Sequence, residues 1–355
     1  SLVDMRLGAE HAMALLIVTC PCALALATPL AVTVALGRAA RKGILIKGAD
    51  ALERLAAPGV MFVDKTGTLT QGSLAVASWL GDIDARELAA AVEAGSAHPI
   101  ARAIAASVEQ HPDATDVHEE LGRGVRGTVD GHRVVVGAPA WVAANCKHDA
   151  EGWVADIVRR AETPIAIAVD GVIVAVAGLA DPLRSDARAA IESLAEQGWR
   201  VDILSGDDSR VVEAIGAQLG LPAERCQGDT SPEGKLATVE SSAGPVAMVG
   251  DGVNDAAAIA AATCGIAVSG AAEVAIEAAD VYLRAPSIHA IAETATGARA
   301  TLATIRRSLR ISLVYNLTAG ALAVAGIIHP LIAALLMPAS SLTVLANSLR
   351  SKAFK

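Results

Sequence analysis

Val60-Met61-Phe62-Val63-Asp64-Lys65-Thr66-Gly67-Thr68-Leu69-Thr70 reads as an apolar strand running straight into a polar turn. Asp64 stands where the strand ends. A carboxylate there faces the carboxyl edge of a sheet, where open α/β sheets bind their ligands. Thr66, Gly67 and Thr68 follow, with hydroxyls and closely spaced amides that can form an anion-binding concavity. An Asp beside such a nest can act as a phosphate-accepting nucleophile. The plain alternative is an ordinary turn, because Asp, Thr and Gly are common turn residues. The full run Asp-Lys-Thr-Gly-Thr-Leu-Thr is far more specific than any of its parts.

The rest of an α/β sheet is legible downstream. Asp181-Pro182-Leu183-Arg184 is predicted to open a helix running to about Gln197. Val201 to Leu204 is a short buried strand ending in Ser205-Gly206-Asp207, and a helical run from Val211 to Leu219 follows. Asp229 to Lys235 begins another helix. Pro245 to Val249 is a strand ending in Gly250-Asp251-Gly252-Val253-Asn254-Asp255. Strands alternating with helices imply a mostly parallel sheet covered on both faces. Its strands then deliver acidic and hydroxyl groups to one edge.

The heptapeptide from Asp64 to Thr70 is the phosphorylation motif of the P-type ATPases, and the chain resembles that family along essentially its whole length. The resemblance implies a haloacid-dehalogenase-like Rossmannoid phosphorylation domain of α/β class. An α+β nucleotide-binding domain is inserted in it, and three transmembrane helices accompany it. Phosphoryl transfer asks a protein mostly to position reactants and neutralise charge. Asp64 would attack the γ-phosphate of ATP in line. Mg²⁺ favours octahedral oxygen ligands. Asp64 and Asp251 are its expected carboxylates, with the Thr66 carbonyl a third. Lys235 is the expected cation on the phosphate oxygens, and Ser205 and Thr66 can donate hydrogen bonds to them. Asp207 would contact nucleotide or a neighbouring domain, while Asn254 and Asp255 close the site. Lys65 and Gly206 complete the catalytic set. Related hydrolases usually carry a second Asp two residues after the nucleophile, and Thr66 stands there instead. Water is then poorly activated and the aspartyl phosphate should persist. The family supplies the base from an actuator domain bearing Thr-Gly-Glu, a tripeptide that occurs nowhere in the chain.

From Gln71 to about Val176 the sequence leaves this sheet. Helical runs, Ala85 to Gly95 and onward to Gln110, flank Ser96-Ala97-His98-Pro99. Asp130-Gly131 and Asp170-Gly171 each separate two apolar runs, the strongest short-range hairpin signal. By resemblance His98, Pro99, Gly122 and Gly124 hold the adenine end of ATP. Read alone, His98 is an ordinary surface histidine and the glycines shape a loop. Two departures from the family pattern bear on this assignment: Ala97 replaces a Glu before the His, and Ala138 replaces an Asn after Gly137.

With 53% hydrophobic residues, the chain calls for a search for membrane segments. His11 to Leu36 is almost wholly apolar, and about 20 such residues span a bilayer as a helix. Pro21 and Pro29 argue against a simple long helix. Arg38, Arg41, Lys42 and Lys47 follow, as at the cytoplasmic end of a span. Cys20 and Cys22 flank Pro21 inside this run. Thiols there are costly to ionise unless a metal takes up the charge, and thiolates favour Cu(I) and also Zn(II). As isolated residues they could equally be small buried hydrophobes. Cys-Pro-Cys ahead of the phosphorylation motif marks the heavy-metal-transporting branch of the resembled family.

Ile311 to Ile328 and Leu331 to Leu349 are two further apolar runs, joined at His329-Pro330 and flanked by Arg306, Arg307 and Arg310 on one side and Arg350 and Lys352 on the other. The positive-inside rule places both outer ends, and residues 37–307, in the cytoplasm. Tyr315 and Asn316 in the first run, with Met337 and Ser341 in the second, accompany Cys-Pro-Cys in the copper(I) branch of the family. Helix packing is the plain reading of Ser341. No Asp lies between Leu331 and Leu349, where zinc pumps usually carry one.

The expected layout is a transmembrane segment at 1–36, a connector with the first part of the phosphorylation domain at 37–71, and the nucleotide-binding domain at 72–176. The second part of the phosphorylation domain follows at 177–298, and two transmembrane helices at 299–355. Expected partners are ATP, Mg²⁺, Cu(I) handed over by a copper chaperone, and a lipid bilayer. A net charge of −9 gives no footprint for nucleic acid. The chain starts at Ser1 and is read as a piece lacking its N-terminal part. Cys146, Cys226 and Cys264 have no metal-ligand spacing and are expected to be structural thiols.

Overall fold

The computed structural model describes residues 2–20, 22–120, 122–144, 146, 150–252, 254–284 and 287–355. Two helices open the chain, α1 (Leu2–Val18) and α2 (Cys22–Arg41). The expected single span is therefore broken at Thr19 and Cys20, beside Pro21, which lies outside the described residues. A proline removes one backbone donor and crowds the preceding turn, which is enough to end a helix. Pro29 is carried inside α2. The connector forms β1 (Ile44–Ile46) and α3 (Ala49–Ala56), whose Ala51, Leu52 and Leu55 are buried. Strand β2 (Val60–Asp64) follows, and the chain turns through Lys65–Leu69.

The insert comprises β3 (Ala75–Gly81), α4 (Ala85–Glu93), α5 (Pro99–Ala105), β4 (Ala114–Glu120), β5 (Gly124–Val129), β6 (His132–Gly137), α6 (Pro139–Ala143), α7 (Glu151–Arg159), β7 (Thr163–Val169) and β8 (Val172–Ala180). Its strands form an antiparallel sheet in the order β3-β8-β7-β6-β5-β4. Both hairpins form where Asp-Gly predicts them. Asp130 and Gly131 have φ of 50° and 84°, and Asp170 and Gly171 have 49° and 79°. Two successive residues at positive φ give the turn whose twist matches that of the flanking strands. The second helical run ends at Ala105 rather than Gln110. Strand β8 stays in this sheet as far as Ala180, past Val176.

The chain then continues through α8 (Ala187–Glu196), β9 (Arg200–Leu204), α9 (Ser209–Gln218), β10 (Cys226–Gln227), α10 (Pro232–Ser241), β11 (Val246–Gly250), α11 (Ala256–Ala261), β12 (Cys264–Ala267), α12 (Glu273–Ala278) and β13 (Val281–Leu283). The main sheet has the order β1-β13-β12-β11-β2-β9-β10. Its centre, β11-β2-β9, is parallel, with Phe62 beside both Met248 and Asp202. Alternate residues serve opposite faces, as the period of a strand requires. Met61, Val63, Ala247, Val249, Val201 and Ile203 enter one core, while Phe62, Met248 and Leu204 enter the other. Parallel strands end on the same side. Asp64, Ser205 and Asp251 consequently share one edge.

Two helices close the chain, α13 (His289–Val324) and α14 (Pro330–Leu349). The start of the apolar run at Ile311 does not interrupt α13. Its first turns bury Ile291, Ala292, Ala295 and Ala298 in the same core as Met61, Val63, Ala247 and Val249 of the main sheet. The expectation of three spans also changes. Among the described residues one helix, Pro330–Leu349, is long and apolar enough to cross a membrane, and Leu7–Val18 is a shorter apolar stretch. α13 carries Arg306, Arg307 and Arg310 ahead of its apolar stretch and ends at Val324. α2 carries Arg38 and Arg41 in its last turn.

The end of α14 is tied down by α2. Arg38 donates from Nη1 to the Ser351 and Ala353 carbonyls (2.7 and 3.3 Å) and from Nη2 to the Leu349 carbonyl (2.7 Å). These bonds satisfy acceptors that a helix terminus otherwise leaves open. Phe354 is buried against Gly297, where a Cβ would come within 2.4 Å of its ring.

Candidate active site

Asp64 is the last residue of β2 and is 5% exposed. Lys235, in the first turns of α10, reaches across the edge. Its Nζ donates to Asp64 Oδ1 at 2.6 Å and to Asp255 Oδ1 at 2.7 Å. Ser231 caps that helix through a bond from the Gly234 amide, and Pro232 sits at its start, both favoured at a helix N-terminus. The cap thereby sets the height at which Lys235 leaves the helix. Carboxylate oxygens of Asp64, Asp251 and Asp255 lie within 4.8 Å of one another. Burial first, and the Asp255 charge second, push the Asp64 carboxyl up to about 7, against the pull of Lys235. Burial works to lower Lys235, but Asp64 and Asp255 outweigh it and hold the ammonium above its ordinary value.

The turn after Asp64 needs Gly67. Its φ is 69°, and a Cβ there would meet Asp251 Oδ2 at 2.9 Å. The turn is clamped from the segment that returns from the insert. Arg184 donates from Nε to the Thr68 carbonyl (2.9 Å) and from a terminal nitrogen to the Gly67 carbonyl (3.0 Å). Asp181 accepts from Thr70 Oγ1 at 2.6 Å and from the Gly72 and Ser73 amides at 3.1 and 3.0 Å. Asp181 to Arg184 were expected to begin a helix. They form this clamp instead, and α8 starts at Ala187. Carboxylate and guanidinium are more fully satisfied by the backbone of the turn than by a helix terminus, which explains the difference.

Lys65 is 6% exposed and pairs with Asp207 at 2.7 Å. Ser205 donates to the same Asp207 oxygen at 2.6 Å. Burial works to raise Asp207, but Lys65, Ser205 and Lys235 together outweigh it and keep the carboxyl below its ordinary value. In this structure Asp207 thus anchors Lys65 and Ser205 rather than facing only outward. Thr66, Gly206 and Asn254 are exposed, and Thr66 lines the adjoining cavity.

That cavity, about 850 Å³, reaches from Lys65, Thr66, Asp207 and Asp251 to Arg86, His98, Pro99 and Arg102 on the insert. A second, about 550 Å³, is lined by Glu93, His98, Glu119, Gly122, Gly124 and Asp207 among others. His98 borders both and is the N-cap of α5; its Nδ1 accepts from the Ile100 amide at 3.3 Å. A neutral ring therefore carries its proton on Nε2. The sequence reading missed Glu93. Burial, and then the charge of Glu119, push its carboxyl up to about 7. Its spacing, four residues after Ala89 and eight after Ala85 on the apolar side of the helical run, was the available signal.

At the other end of the molecule, Cys20 lies half-buried at the break between α1 and α2 and is disulfide-bonded. The Cys22 side chain lies outside the described residues. Tyr315 packs with Ala14 and Val18 of α1, and Leu336, next to Met337, joins the same cluster. Among the described residues, the buried Tyr315 hydroxyl has no hydrogen-bond partner. Asn316, Met337 and Ser341 are half-buried. Among the remaining thiols, Cys226 and Cys264 are buried and Cys146 half-buried; all are free, and burial pushes Cys264 up to about 12.

The haloacid dehalogenase-like hydrolase family matches residues 59–263, which hold Asp64, Lys235, Asp251 and Asp255. The chain belongs to that family. The chain is 39% identical over 366 residues to a cation-transporting P-type ATPase B of Mycobacterium tuberculosis, covering 98% of this chain and 48% of the relative. A copper-exporting P-type ATPase of the same species is 38% identical, over 97% of this chain and 46% of its own length. A crystal structure of a zinc-transporting PIB-type ATPase is 35% identical with a TM-score of 0.80, covering 93% of this chain and 56% of that one. The chain spans about half the length of the curated relatives it matches.

Proposed function

We propose that the chain accepts the γ-phosphate of ATP on Asp64 and uses that acyl phosphate to drive Cu(I) export across a membrane. The observation that carries this reading is the Asp64–Lys235–Asp255 constellation at the sheet edge. A nucleotide base in the smaller cavity would meet His98, Glu93, Gly122 and Gly124. Its phosphates would cross the larger cavity toward Thr66. An Asp64 oxygen then bonds to the γ-phosphorus as the bond to the ADP oxygen breaks. Lys235 is placed to leave its carboxylate partners for the phosphoryl oxygens. Three crowded carboxylates call for a cation, and oxygen ligands suit Mg²⁺. Asp64, Asp251 and Asp255, with the Thr66 carbonyl, would hold it. A cation held by these residues would supply neutralising charge to the transferring group. With Thr66 two residues after Asp64, the chain offers no carboxylate at that position to activate water.

The ion would be held by Cys20 and Cys22 with Tyr315, Asn316, Met337 and Ser341. Thiolate plus thioether is a soft set that favours Cu(I) over Zn(II). Zn(II) is the second reading, supported by similarity to the zinc-transporting structure. The catalytic domains lie on the cytoplasmic side in this reading, and a copper chaperone delivers the ion. Metal-dependent phosphorylation from γ-phosphate-labelled ATP, compared for Cu(I) and Zn(II) in the reduced protein, tests the assignment. Stimulation by Zn(II) alone would overturn the copper reading.

A further inference from the structure

The outer face of α13 changes chemistry at one level. Arg306, Arg307 and Arg310 are exposed, and the same face continues a turn later into Leu313, Val314 and Leu317, all exposed. On α14, exposed Leu342, Leu345 and Leu349 run into exposed Arg350 and Lys352. Asn347 Nδ2 donates to Ser308 Oγ at 2.7 Å, and Thr304 Oγ1 lies 2.9 Å from Ser351 Oγ. These contacts fix the antiparallel register, which puts Arg350 level with Ile305, next to Arg306.

The charges of this band are unbalanced. No Asp or Glu occurs between residues 299 and 355. Among the described residues, no carboxylate pairs with Arg306, Arg307, Arg310, Arg350 or Lys352. Cations of α2 at the same end are engaged differently. Arg38 holds backbone carbonyls, and Lys42 pairs with Glu293. The outward arginines therefore have no structural partner, while leucines mark the apolar zone directly beyond them. The guanidinium fork matches phosphate oxygens in pairs, and anionic headgroups draw juxtamembrane cations to the surface.

We propose that Arg306, Arg307 and Arg310 of α13 and Arg350 of α14 form a binding band for the phosphates of anionic phospholipids. The inference rests on the reading that these helices enter a bilayer. It adds a route of influence, because α13 carries Ile291, Ala295 and Ala298 in the core of the main sheet. A headgroup held at Arg306 to Arg310 bears on the rod that supports Asp64.

The test uses the reduced full chain in nanodiscs of phosphatidylcholine alone or mixed with phosphatidylglycerol, with retained lipids counted by native mass spectrometry. Two variants are compared, the combined Arg306→Gln, Arg307→Gln, Arg310→Gln, Arg350→Gln chain and an Arg188→Gln control, both checked for native helicity. The expected result is roughly tenfold preferential retention of phosphatidylglycerol, kept in the control and lost in the combined variant. Inorganic phosphate should not compete. Equal retention of both lipids, an unchanged preference in the combined variant, or full competition by inorganic phosphate each overturns the band. A chain that inserts but shows no preference sinks this proposal alone. A chain that enters no nanodisc of either composition sinks the membrane reading as well.

Discussion

Lys235 Nζ lies 2.6 Å from Asp64 Oδ1, so the Asp64 carboxylate is held by a buried ammonium that also binds Asp255. Removing that ammonium strands neighbouring carboxylates in a buried site. Breaking one partner of a buried pair typically costs about 3–5 kcal/mol. Lys235→Ala should lose that order of stability in thermal or urea unfolding and also lose label transfer to Asp64. Adding Asp255→Asn should recover part of the stability but none of the labelling. Unchanged unfolding in Lys235→Ala would show that the pair does not form.

The pH dependence follows from the raised Asp64 carboxyl, at about 7 in the folded chain against 3.8 ordinarily. Between these values the folded state binds the proton and the unfolded state does not. Stability therefore falls as pH rises through that window, and Asp64→Asn should flatten the slope. The nucleophile must be ionised, so binding of Mg²⁺ to the cluster should release protons at pH 6. Proton release is read by calorimetry in buffers of different ionisation enthalpy. No release at pH 6 would place Asp64 in its ionised form already.

The Arg184 clamp makes a prediction about position rather than charge. Its bonds to the Gly67 and Thr68 carbonyls hold the turn that carries Thr66. A displacement of about 1 Å at a reacting centre can cost about 100-fold in rate. Arg184→Ala should slow phosphorylation by roughly that factor while nucleotide affinity stays near normal, and Arg184→Lys should recover only part. A weakened nucleotide affinity with normal phosphorylation rate would contradict the clamp.

Glu93 gives a separate signature. Its carboxyl, raised to about 7 by burial and then by Glu119, borders the smaller cavity with His98. If the ionised form accepts from the adenine amino group, nucleotide binding should tighten as pH rises through 7. Fluorescent-nucleotide titrations should show this slope, and Glu93→Gln should abolish it. An identical slope in the variant would assign the effect elsewhere.

These groups were unequally legible in the sequence. Asp130-Gly131 and Asp170-Gly171 disclosed their hairpins because positive φ is a local demand that few residues meet. The Asp64, Ser205 and Asp251 edge was legible because apolar strands end at polar residues. The clamp of Asp181 and Arg184 was not, since their partners, the Thr70 hydroxyl and backbone groups of the turn, lie more than a hundred residues away. Nor was the continuity of α13. Its charge pattern changes at Ile311, but the helix is indifferent to that change because the apolar face simply exchanges one neighbour for another. Asp255 read as a residue closing the site, whereas the fold of α11 brings it onto Lys235.

The central claim is tested most directly by incubating the chain with γ-phosphate-labelled ATP and Mg²⁺ and quenching in acid. The account predicts label that is stable in acid, labile in alkali, located on the peptide carrying Asp64, and absent from Asp64→Asn. Label that persists in Asp64→Asn, or a wild-type chain that binds ATP yet takes up none, would contradict it.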